Sequence, residues 1–158
     1  MKNDYLNQNP LYIADIGASG GISNRWRKKF FKTKGVLFEP DPKSFKELNK
    51  VKDEEFIYLN SALSDSSKNE ILNICDWREA SSIFEPNFDF LSQFPNPDRF
   101  KIVDRIKLKT EKLDKLINDS PINELDFIKI DTQGSELQIL KGAKNSLYDV
   151  VGLEVEVE

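Results

Sequence analysis

A chain of 158 residues, 39% of them hydrophobic and with a net charge of −4, has apolar material for one soluble domain and little length for a second. Its 23 basic and 27 acidic residues are intermingled, which argues against a nucleic-acid partner, and no stretch nears the roughly 18 apolar residues of a membrane span. Histidine is absent, which excludes Ser-His-Asp and Cys-His catalysis, imidazole zinc sites and any histidine base. The single cysteine, Cys75, has no internal disulfide partner and reads as a small packed hydrophobe. The polar opening MKNDYLNQNP does not resemble a signal peptide, so the expected compartment is the cytoplasm.

In chain order, short apolar runs alternate with amphipathic stretches, the pattern of parallel strands joined by crossover helices. Leu11 to Ile16 reads as the first strand and ends in a glycine cluster. A helix is expected from Ser23 to about Lys32, its basic run Arg25, Arg27, Lys28 and Lys29 forming a solvated face. Gly35 is expected to reopen the chain for a strand over Val36 to Glu39. Pro40 and Pro42 bracket a turn, and Lys43 to about Lys50 places Phe45 and Leu48 on one face of a second helix. Phe56 to Leu59 is a third strand.

Glu70 to Ile74 reads as a strand, and Ala80 to Pro97 as a partly ordered flap carrying Phe84, Phe88, Phe90, Leu91 and Phe94. Arg105 to Thr110 alternates as a strand, Leu113 to Ile117 as a helix, and Asp126 to Ile130 as a buried strand. A helix over Glu136 to Leu147 would align Leu137, Leu140 and Leu147, and Val150 to Glu158 alternates as a last strand. The fold class is α/β, with a mostly parallel sheet flanked by helices.

Asp15-Ile16-Gly17-Ala18-Ser19-Gly20-Gly21 follows a strand and precedes a helix, where a ligand meets exposed backbone N–H groups. The spacing is not G-x-G-x-x-G, so the pyrophosphate fingerprint is unmatched. An acid at the strand end suits a ligand ammonium, and Asp15 could accept it. Glu39 stands 19 positions after Gly20 at the end of the second strand, where a carboxylate accepts from ribose hydroxyls. The plain counterparts are an ordinary strand-to-helix turn and a surface glutamate before a proline turn. Gly17 to Gly21 also fits the G-x-S-x-G nucleophile elbow, but without histidine Ser19 has no conventional base.

Together with this loop, Phe-Glu-Pro-Asp-Pro at 38–42, Ala-Leu-Ser-Asp at 62–65, Lys-Leu-Asp at 112–114 and Phe-Ile-Lys-Ile-Asp-Thr-Gln-Gly-Ser-Glu at 127–136 resemble the FkbM methyltransferases across almost the whole chain. The resemblance implies a Rossmann-like class I fold and an O-methyltransferase using S-adenosylmethionine. Asp15, Gly17, Ala18, Ser19 and Gly20 would hold the methionine part, Glu39 the ribose, and Ala62 and Asp65 would lie near adenine. Asp131 would face the methyl group and the acceptor, with Gln133 and Glu136 beside it.

Asp131 and secondarily Glu136 are the candidate bases for the acceptor hydroxyl; each reads alternatively as a helix cap or first-turn acid. A divalent ion held by such acids is conceivable, but they are a thin ligand set, and no metal residues are assigned. The acceptor implied is a saccharide or small biosynthetic product, met by Trp77, Phe84, Phe88 and Phe90, which read equally as core. Class I methyltransferases carry two further strands, so the expectation is a fold incomplete after Glu158, with a sheet edge open to a second copy. A non-catalytic cofactor-binding remnant and a nucleotide-dependent Rossmann oxidoreductase stay open as alternatives.

Overall fold

The computed structural model describes residues 9–27, 32–122 and 124–157. Its strands are β1 (Leu11–Ile16), β2 (Thr33–Phe38), β3 (Phe56–Leu59), β4 (Ala62–Leu63), β5 (Asn69–Cys75), β6 (Ile102–Glu111), β7 (Phe127–Ile130) and β8 (Gly152–Val155). The α-helices are α1 (Pro42–Lys50), α2 (Phe88–Leu91), α3 (Leu113–Asn118) and α4 (Glu136–Lys141). Five strands form a wholly parallel sheet in the order β3-β2-β1-β7-β8. The chain winds outward from β1 in one direction and then in the other, which is the Rossmann-like order and puts a switch point between β1 and β7.

Parallel strands bury both faces, which is why the central ones read as nearly continuous apolar runs. Ala14, Ile16, Val36, Phe38, Ile128 and Ile130 meet Leu113, Ile117 and Ile139 in one core layer. The alternate residues Ile13 and Leu37 pack with Ala18, Ile22, Leu48, Phe56 and Tyr58 in the other. Phe127 leans on that second layer, so by strand alternation Asp15, Lys129 and Asp131 point to the same side as it does.

A second, three-stranded sheet in the order β4-β6-β5 is inserted between β3 and β7. β5 runs antiparallel to β6, with a register irregularity at Ile74/Cys75, and β4 runs parallel to it. This insertion covers the carboxyl ends of the main strands.

Several boundaries differ from expectation. β2 starts at Thr33, with Gly35 inside it, because a Cβ at Gly35 would lie 2.1 Å from the Ile13 carbonyl oxygen; the glycine permits close strand contact and makes no turn. The helix expected from Ser23 is a 3-10 turn over Asn24–Arg27, and residues 28–31, including Lys28 and Lys29, lie outside the described residues, as does Glu158. α4 stops at Lys141, capped by Gly142, which a side chain could not replace because its Cβ would lie 2.1 Å from the Ser64 carbonyl oxygen. Leu137 is 61% exposed within α4, while Ile139 and Leu140 face the core and Leu147 reaches it from a separate 3-10 turn. Cys75 is buried, as its sequence context predicts.

Candidate active site

The loop after β1 is shaped by three glycines in left-handed conformation, Gly17, Gly20 and Gly21. Gly17 sits so close to the end of β7 that a Cβ would lie 1.8 Å from the Asp131 carbonyl oxygen. Nothing lies within 4 Å of the Cβ position of Gly20. At the end of β2, Gly17 N and Ala18 N donate to the Phe38 carbonyl at 3.1 and 3.0 Å, so the loop is strapped to the strand that delivers Glu39.

Glu39 is 5% exposed, and among the described residues its carboxylate accepts one hydrogen bond, from Asp41 N at 2.9 Å. Burial pushes its pKa up to about 7. Two residues on, Asp41 caps α1 by accepting from Lys43 N at 3.1 Å. It also takes a bidentate pair from Arg78, Nε to Oδ2 at 2.7 Å and Nη2 to Oδ1 at 2.6 Å. Burial opposes ionisation of Asp41, but the bonds from Arg78, Ser44 and Lys43 outweigh it and hold its pKa below the usual range. Arg78 belongs to the inserted segment, so this pair pins the cover to the sheet.

On the other side of β1, Lys129 is the register partner of Asp15 across the β1–β7 ladder. Its Nζ lies 3.3 Å from Asp15 Oδ1 and 3.2 Å from Asp131 Oδ2. Burial works to lower the lysine pKa, but the two carboxylates prevail and raise it. Asp15, 3% exposed, has its own pKa raised by burial against the opposing pull of Lys129.

After β7 the chain turns through Gln133 and Gly134, both with positive φ. Glu136 organises that turn: its Oε1 accepts from Thr132 N at 3.2 Å, Thr132 Oγ1 at 3.0 Å and Gly134 N at 3.0 Å. Ser82 of the insertion donates to the Gln133 carbonyl at 2.6 Å, a second pin on the cover.

Between sheet and cover lies a cavity of about 340 Å³, within the size range of small-molecule sites. Gly17, Ser19, Glu39, Ala62 and Asp131 line it. It opens outside the carboxyl ends of the strands, beside the switch point, which is where open α/β sheets take ligands. A model of the methyltransferase FkbM domain matches residues 15–158.

The chain belongs to the FkbM methyltransferase family. No curated protein and no solved structure matches it significantly.

Within this FkbM domain the remaining expected site residues stand elsewhere. Asp15 lies behind Lys129, off the cavity wall, and Ala18 is packed in the core layer with Ile13 and Leu48. Gly20 and Glu136 shape the two flanking loops without lining the cavity. Asp65 lines a separate shallow depression with Lys112, Asp114 and Lys141, accepting from Ser66 Oγ at 2.9 Å.

The wall also contains residues the sequence reading gave no site role, Lys129, Asp41, Arg78 and Ser61 among them. For Lys129 a signal existed: in a strand, Lys129 and Asp131 share a face. Trp77 lines the cavity, while Phe84, Phe88 and Phe90 are 42–55% exposed and complete no core. Among the described residues no group of three or more His, Cys, Asp or Glu side chains is placed to hold a metal ion, and no helix is long and apolar enough to cross a membrane.

Proposed function

We propose that this methyltransferase uses S-adenosylmethionine and methylates a hydroxyl of a saccharide or a small biosynthetic product. The observation carrying the reading is a single cavity shared by the glycine loop, the Glu39 carboxylate and the Asp131 carboxylate. The residues fit the cofactor. Glu39 is a buried acid with acceptor capacity left toward the cavity, suited to a ribose diol and hostile to a 2′-phosphate. Gly17 and Ser19, the two loop residues on the cavity wall, face the amino-acid end, and Ala62 offers an apolar wall to the base.

Bound there, S-adenosylmethionine supplies an electrophilic methyl carbon on a sulfonium. The protein then has to align the acceptor oxygen and exclude water, which is the part of the insertion pinned by Arg78–Asp41 and Ser82–Gln133. Asp131, whose side chain is 31% exposed beside the cavity, accepts the proton of the acceptor hydroxyl. Trp77 offers an aromatic face to a sugar ring. The cytoplasm is the proposed compartment, with no nucleic-acid or membrane partner, and the edge strand β8 is the surface for pairing with a second copy. Incubation with methyl-labelled S-adenosylmethionine and a panel of neutral glycosides and hydroxylated small molecules tests the reading. Label transferred to an acceptor oxygen is expected; binding with no transfer across the panel counts against an enzyme of this class.

A further inference from the structure

The cavity wall carries a half-buried cation, Lys129, that the methyl-transfer reading leaves without a role. It sits in β7 between Ile128 and Ile130, and its ammonium meets acceptors from three places: Asp15 Oδ1 at 3.3 Å, the Gly17 carbonyl oxygen at 3.4 Å and Asp131 Oδ2 at 3.2 Å. Among the described residues the Gly17 carbonyl accepts a hydrogen bond from it, and the two carboxylates flank it as ion-pair partners. The fold does not require this. Two positions earlier on the same side of the sheet, Ile13 and Phe127 pair apolar side chains, and an apolar pair at Asp15 and Lys129 would avoid the desolvation of two charges. Only Lys129 and Asp131 of the three line the cavity, so the charge of Asp15 is spent inside the protein, on Lys129.

We propose that Lys129 is a positioning residue: Asp15 and the Gly17 carbonyl pin its ammonium, and the ammonium fixes the Asp131 carboxylate at the cavity wall. This rests on the reading of the cavity as a sulfonium-nucleoside site. It makes Asp15 a support for Lys129, with no contact to the ligand ammonium. It also places a fixed cation beside a site whose methyl donor is positively charged at sulfur and whose product, S-adenosylhomocysteine, is not. Lys129 therefore disfavours donor relative to product, and Asp131 does the opposite.

Calorimetry with S-adenosylmethionine and S-adenosylhomocysteine on the wild type, Lys129→Met, Lys129→Gln and Lys129→Arg reads this directly. The ratio of the donor's dissociation constant to the product's is expected to fall about fivefold in Lys129→Met and Lys129→Gln. In Lys129→Arg it stays within about twofold, because the charge is kept. Turnover in Lys129→Met falls about a hundredfold while the KM for the donor does not rise, and Lys129→Arg recovers most of it. A ratio that does not move in either neutral variant, or full turnover in Lys129→Met, overturns the proposal alone. A wild type that binds neither nucleoside overturns the cofactor reading and this proposal with it. If Lys129→Met fails to fold, the Gln variant decides.

Discussion

Glu39 accepts a hydrogen bond from the backbone N–H of Asp41 at 2.9 Å, and this bend sets two carboxylates of opposite electrostatic character on one cavity wall. Asp41, gripped by Arg78, is stabilised as an anion, whereas burial pushes Glu39 up to about 7. The second carboxylate is the one positioned to receive donors from a ligand.

Glu39 should make the free protein less stable as pH rises. Its folded pKa of about 7 exceeds the ordinary 4.5, so between these values the native state holds more protons than the unfolded one, and stability declines across that window. Glu39→Gln should therefore be more stable than wild type at pH 8, by on the order of 3 kcal/mol, with the gain vanishing near pH 4.5. Urea melts at the two pH values check this; a gain independent of pH contradicts it.

Arg78→Met should leave Asp41, 4% exposed, as a buried charge without its cation. A loss of roughly 3 kcal/mol is expected, most of it restored when Asp41→Asn is added. Because the pair ties the insertion to the sheet, nucleoside affinity should fall together with stability. Equilibrium denaturation of the single and double variants measures the coupling, and additive losses would contradict the clamp.

Gly17→Ala should be among the most damaging small changes in the chain. The residue has φ of +80° and its Cβ would meet the Asp131 backbone, which cannot yield as a side-chain tip would. A loss on the order of 3 kcal/mol or more follows. At Gly20, also left-handed at φ +77° but with open space around it, the loss should be nearer 1 kcal/mol. Thermal melts of the two variants rank them, and equal losses would contradict the contact.

Asp131→Asn should remove turnover, by a factor on the order of 10³, while S-adenosylhomocysteine binds nearly as in wild type. Isotope transfer and calorimetry on the same preparation check both halves. Turnover unchanged in this variant removes Asp131 from the chemistry.

Much of this architecture was legible because it rests on local rules. The apolar runs at Leu11 to Ile16 and Asp126 to Ile130, the glycine cluster and the proline-flanked turn each dictate backbone that the structure adopts. The strand ends bring Gly17, Glu39 and Asp131 to one cavity, whereas Asp15, expected beside them, stands behind Lys129. What stayed hidden depends on which strands become neighbours. Lys129 has no partner legible in the sequence until β7 is known to lie beside β1, opposite Asp15. Arg78 and Asp41 are 37 positions apart and meet only because the insertion folds over the sheet. Leu137 looked like a core position from its spacing with Leu140, but the helix turns Ile139 and Leu140 to the core and leaves Leu137 exposed.

The central claim is that this cavity holds a sulfonium nucleoside with Glu39 on its ribose. The most direct measurement is titration calorimetry of S-adenosylmethionine into wild type and Glu39→Ala at pH 8. One-to-one binding by the wild type, weakened about tenfold or more in the variant through lost ribose hydrogen bonds, is the predicted result. Equal affinity in the two proteins, or no binding by the wild type, would contradict it.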